Sequence, residues 1–137
     1  MENEIKENLI VLSQNEYKDR VLKDFRIISL SRVCSVLGRR EVLTGKGKFG
    51  IFGDGKEVAQ IALNHFFNKG DFRSGYYRDQ TFMIAQGFLS PQQLFAALYA
   101  HPDIDHEPMS AGRQMGAHFS TTLVNEKGEW LEQINLK

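Results

Sequence analysis

The chain holds one cysteine, three prolines and one tryptophan in 137 residues. A single thiol, Cys34, excludes an internal disulfide. It lies in an apolar run, where a cysteine reads as a small core residue rather than a nucleophile. Net charge is also lacking: 17 Lys/Arg stand against 17 Asp/Glu. That balance argues against nucleic acid as a partner of the whole surface. No apolar run approaches the length of a bilayer span, so no membrane role is expected. The start, "MENEIKENLI", lacks the basic-then-apolar order of a secretory signal, which makes the cytoplasm the default expectation. Repeats and low-complexity segments are absent as well.

What remains is the composition of one globular domain, 42% hydrophobic and 25% charged. Charge is unevenly placed. Residues 18–56 carry ten Lys/Arg and four Asp/Glu, a local excess of six, which a solvated helix followed by a basic loop would explain.

Four helices are predicted. Ser13 and Glu16 have capping-box spacing and open a helix over about 15–37. Val21, Phe25 and Ile28 follow at helical intervals, and Val33, Val36 and Leu37 extend the apolar character. Gly38 is its expected stop. Six of the eighteen residues from 38 to 55 are glycine, which predicts a loop of unusual backbone or close approach. A second helix is expected from Asp54 as cap to Gly70, with Val58, Ile61, Ala62, His65 and Phe66 on one face. His65 reads there as a hydrogen-bonded boundary residue. "DFRSGYY" reads as extended, and "RDQTFMIAQGF" as a third helix started by Asp79. "SPQQLFAALYA" is a fourth, with Ser90 as cap, Pro91 at the first helical position and Gln93 closing a capping box. Pro102 ends it, a polar loop follows, and the tail predicts a hairpin around "NEKG".

Candidate chemistry sits in three places. "GKGKFGIFGDG" is glycine-rich but is neither a Walker loop nor a dinucleotide fingerprint. Its "GDG" lacks a following asparagine pair, so it reads as the entry to a helix rather than a metal motif. "HPDIDHE" groups two histidines with three carboxylates, yet without the i,i+4 spacing that holds metal ligands rigid, and reads as a polar loop. "GYYRDQT" sets tyrosines beside Arg78, whose fixed fork of donors suits phosphate or carboxylate. Arg113 and His118 in "GRQMGAH" form a similar, separate pair of anion-binding and proton-transfer candidates.

Taken in order, these pieces resemble the N-terminal part of the α chain of 2-oxoacid dehydrogenase E1 components, the branched-chain (2-oxoisovalerate) type above all. The resemblance covers about residues 15–120. It rests on "GIFGDGKEVAQIALNHFF", on "YYRDQ", and on "GRQMGAH" about 35 residues later. It implies an α/β fold: the N-terminal, mostly helical part of a thiamine-diphosphate-binding domain. It implies that Tyr77 and Arg78 contact the diphosphate of thiamine diphosphate, that Phe49 lines the substrate pocket, and that His118 lies near the entrance. The implied reaction is oxidative decarboxylation of a branched-chain 2-oxoacid with acyl transfer to lipoyl-lysine. The implied partners are an E1 β chain or fused β half, and the lipoyl domain of E2. The family's Mg2+ motif and its other cofactor contacts fall after the region matched here. These 137 residues are therefore expected to be an amino-terminal piece, inactive alone and prone to self-association through apolar faces. Two further expectations compete with this one. One is a non-catalytic helical module that binds an E1 β chain or a lipoyl domain through residues 39–48. The other is an unrelated helical binding protein.

Overall fold

The computed structural model describes residues 12–68, 70–114 and 125–130. Four helices make up its regular structure: α1 (Gln14–Leu43), α2 (Glu57–Asn64), α3 (Gln80–Ala85) and α4 (Pro91–Leu98). No β-strand forms among the described residues, so the parallel sheet that the resemblance implies is not part of them.

α1 starts where its capping box predicts. The Glu16 N–H donates to Ser13 Oγ at 3.3 Å, and the Ser13 N–H donates to Glu16 Oε2 at 2.9 Å. It does not stop at Gly38. It runs on to Leu43, and Gly45, at φ 78°, provides the left-handed turn just beyond. Gly38 serves packing instead. A Cβ there would lie 2.3 Å from the ring of Phe52, so only glycine lets the returning loop cross the helix at this point.

The buried stripe of α1 is Ser31, Cys34, Ser35 and Gly38. These small side chains let α3 approach closely. Gln80 Nε2 donates to the Ser31 carbonyl at 2.9 Å, and it also lies 2.7 Å from Ser35 Oγ. Ser31 Oγ and Thr81 Oγ1 share a hydrogen bond of 2.6 Å. All four side chains are essentially inaccessible, and each has its partner, as burial of polar groups demands. Beside this crossing lies the apolar core: Cys34, Phe82, Met83, Leu89 and Leu94, with Phe67 and Phe95 packed against it.

α2 is shorter than predicted at both ends. Asp54 does not cap it, because Arg39 of α1 holds its carboxylate. Lys56 occupies the cap position without a side-chain bond. Glu57 is fixed from the side by Arg32, in a forked pair of 2.6 and 2.9 Å. The helix ends at His65 rather than Gly70, where the ring meets Asp24 of α1 at 2.7 Å. α3 follows Asp79 as expected. α4 has its predicted capping box, with the Ser90 N–H 2.9 Å from Gln93 Oε1. Beyond α4, Glu107 is fully buried and organises its own loop. It accepts from the N–H groups of Met109, Ser110 and Gly112, each at 2.9 Å, and from Ser110 Oγ at 2.7 Å. The 125–130 segment forms a tight turn closed by Gly128 N–H to the Asn125 carbonyl at 2.9 Å. The strands expected to flank it fall mostly outside the described residues.

Candidate anion-binding cleft

The segment from 75 to 79 is a turn locked from three sides. The Asp79 N–H donates to the Tyr76 carbonyl at 3.0 Å, and the Tyr76 N–H donates to Asp79 Oδ2 at 2.8 Å. Arg73 donates to the same carboxylate oxygen at 2.6 Å. From α2, Gln60 spans the turn: its Nε2 donates to the Arg78 carbonyl, and its Oε1 accepts the Phe82 N–H, both at 3.0 Å. Behind it lies Gly53. A Cβ at that position would sit 2.3 Å from the Arg78 carbonyl oxygen, so the glycine of "GDG" is required by close approach rather than by metal binding.

This framework holds the backbone from which the Arg78 side chain projects. Its guanidinium lies 5.2 Å from the Tyr76 ring centroid and 5.4 Å from that of Tyr77, within cation–π range. The two rings lie against one another with centroids 4.0 Å apart, and the Tyr76 hydroxyl donates to the Tyr77 hydroxyl at 2.8 Å. Arg78 makes no ion pair among the described residues. A partly buried guanidinium set against aromatic rings, with no ion pair among the described residues, keeps its charge available for an anion.

An open cleft of about 380 Å³ lies beside it, lined by Lys56, Ala59, Gln60, Leu63, Tyr76, Arg78 and Asp79. Lys56 and Arg78 are its cations. Among the described residues of the lining Asp79 is the only acid, and Arg73 already engages it. Ala59 and Leu63 add an apolar strip. Most of the surface facing the cleft is apolar, so the arrangement suits a largely apolar group whose anionic end meets Lys56 or Arg78. Among the described residues the lining contains no His, Cys or Ser; Lys56, Tyr76 and Asp79 are its groups able to transfer a proton, and Asp79 is already held by Arg73 and the Tyr76 N–H.

The sequence-predicted residues divide accordingly. Arg78 lines the cleft, and Tyr77 braces it from the neighbouring position. Phe49 is 54% exposed and is not in the lining. His118 lies outside the described residues. Arg113 is exposed, and its N–H donates to Ser110 Oγ at 3.1 Å. In "HPDIDHE", His106 meets Asp103 at 3.2 Å and Glu107 is spent on its own loop. No group of three metal-type ligands occurs among the described residues.

Lys56 and Gln60 were missed from the sequence. Lys56, Ala59, Gln60 and Leu63 stand at i, i+3, i+4 and i+7, one face of α2, which the helical period could have singled out. Comparison of the chain with protein-family models, with curated proteins and with solved structures found no match.

Proposed function

We propose that the chain is the amino-terminal part of a thiamine-diphosphate-dependent 2-oxoacid dehydrogenase E1 component of branched-chain type, and that the 76–79 turn contributes to its diphosphate half-site. The observation that carries this is Arg78: a positioned guanidinium without a carboxylate partner among the described residues, beside Lys56 and an open cleft. Two cations, Lys56 and Arg78, suit a diphosphate. The described residues do not supply the accompanying Mg2+ site, and in this proposal its ligands belong to other segments.

Thiamine diphosphate, when bound, supplies the carbon nucleophile and electron sink for decarboxylating a branched 2-oxoacid. The residues of this chain bind and orient. Arg78 and Lys56 neutralise diphosphate oxygens, Tyr76 and Tyr77 hold the guanidinium in place, and Gln60 keeps the turn in register with α2. The E1 β chain and the lipoyl domain of E2 are the partners the proposal requires. Phe49 as substrate wall and His118 near the entrance stay part of it on the resemblance alone.

Calorimetric titration tests this with thiamine diphosphate plus Mg2+, with pyrophosphate and with thiamine, each with and without a matching β chain. The expected result is binding of the two diphosphate compounds, tightened by the β chain and weakened about tenfold or more by Arg78→Ala. Equal binding of thiamine, or indifference to Arg78→Ala, would overturn it. The second reading, a non-catalytic helical module, is favoured by the exposed apolar residues of α1. It predicts β-chain or lipoyl-domain binding that ignores the cofactor.

A further inference from the structure

The cleft carries a feature that opposes anion binding: a carboxylate in its wall. Asp79 lines the cleft together with Lys56 and Arg78. The same carboxylate has work in the turn. Its Oδ2 accepts the Tyr76 N–H at 2.8 Å and so closes the segment from which Arg78 projects. A charged acceptor makes that bond stronger than a neutral one would. Left by itself, however, the charge would repel an anion at the neighbouring Arg78 and offset one of the two cations.

Arg73 answers that charge from behind. Its Nη1 donates to the same Oδ2 at 2.6 Å. Arg73 does not line the cleft, so it can act on a ligand only through Asp79. It is also anchored. The guanidinium lies 5.4 Å from the ring centroid of Phe82, and its Nη2 lies 3.0 Å from Met83 Sδ. Phe82 and Met83 both belong to the buried core. The backbone at Gly75 passes so close that a Cβ there would fall 2.1 Å from Arg73 Nη1. An exposed ion pair held only by its own attraction is worth little, because two long side chains must be ordered to make it. Here the core and the glycine have already ordered the cation. We propose that Arg73 is a positioning residue of the cleft: it neutralises Asp79 and holds it on the turn, so that Lys56 and Arg78 meet the anion with their charge uncancelled. The inference rests on reading the cleft as a diphosphate half-site.

The test is calorimetric titration of inorganic pyrophosphate at low and at raised salt. Arg73→Gln should weaken binding about tenfold at low salt, and the loss should shrink as salt rises. Asp79→Asn should tighten binding about threefold, because the amide oxygen still accepts the Tyr76 N–H while the negative charge is gone. The double variant Arg73→Gln/Asp79→Asn should recover to within about threefold of the unmodified chain. A purely structural clasp predicts the opposite: Asp79→Asn weakens binding, and the double variant stays as weak as Arg73→Gln. Either result would overturn the proposal, as would binding indifferent to Arg73→Gln but lost in Arg78→Ala. If Arg73→Gln does not fold, Asp79→Asn decides alone, since tightening supports the charge role and weakening overturns it. No pyrophosphate binding by the unmodified chain would overturn the cleft reading itself, and this inference with it.

Discussion

Gly38 and Glu107 show how single residues carry this fold. Replacing a mid-helix glycine by alanine ordinarily stabilises a helix by about 1 kcal/mol. Here the new Cβ would meet the Phe52 ring, which must then move away from α1. Gly38→Ala is therefore expected to destabilise the chain by about 1–3 kcal/mol, read from the urea midpoint. A gain in stability would show that Phe52 does not cross the helix there. Glu107 makes a pH-dependent contribution. Burial by itself would raise its pKa, but the donors from Gly112, Ser110 and Met109 outweigh that and hold it below the usual carboxylate value. Its stabilising effect is thus complete above the unfolded value of about 4.3 and is lost as pH falls through the lower folded value. Glu107→Gln should be less stable at neutral pH and lose stability less steeply on acidification. Some acid sensitivity should persist, because the Arg32 hydrogen bond also lowers the pKa of Glu57. An acid limb unchanged by the substitution would contradict this.

Among the elements, the α1–α3 crossing is the one to test. Gln80 fills a buried space between Ser31 and Ser35, and Gln80→Ala would leave Ser35 Oγ without its donor beside a void, while Ser31 Oγ keeps Thr81. A loss of about 2–4 kcal/mol is expected in denaturant titration, combining unsatisfied groups with a cavity. A loss under about 0.5 kcal/mol would mean that the network carries little of the packing. The same element shows what the sequence could and could not reveal. The capping boxes Ser13/Glu16 and Ser90/Gln93 were legible because a cap is made by residues three apart in the chain. α3 does begin after Asp79, but not through a side-chain cap: that carboxylate is held by Arg73 and the Tyr76 N–H. The extension of α1 through Gly38 was not, because a glycine that ends a helix and a glycine that admits a crossing ring look alike until Phe52 is placed. Asp54 had the right residue type for a cap, yet Arg39, fifteen positions away, takes its carboxylate. At the cleft, the Tyr-Arg pair was visible locally. Its supports, Gln60 from α2 and Gly53 from the loop, meet it only through tertiary packing.

At the scale of the whole molecule, a small core joins four helices, and among the described residues the Arg78 cleft and several apolar side chains of α1 stay exposed. No helix among the described residues is long and apolar enough to cross a membrane. The neutral overall charge hides a basic excess in α1, seven Lys/Arg against four Asp/Glu, and two cations at the cleft, and both should respond to ionic strength as local sites do. The central claim is that the cleft holds a diphosphate through Arg78. Its most direct measurement is calorimetric titration of inorganic pyrophosphate against the unmodified chain, Arg78→Ala and Lys56→Ala at low salt. The account predicts one site, weakened about tenfold or more by Arg78→Ala, weakened less by Lys56→Ala, and fading as salt rises. Pyrophosphate binding that is equally strong in Arg78→Ala, or absent from the unmodified chain, would contradict it.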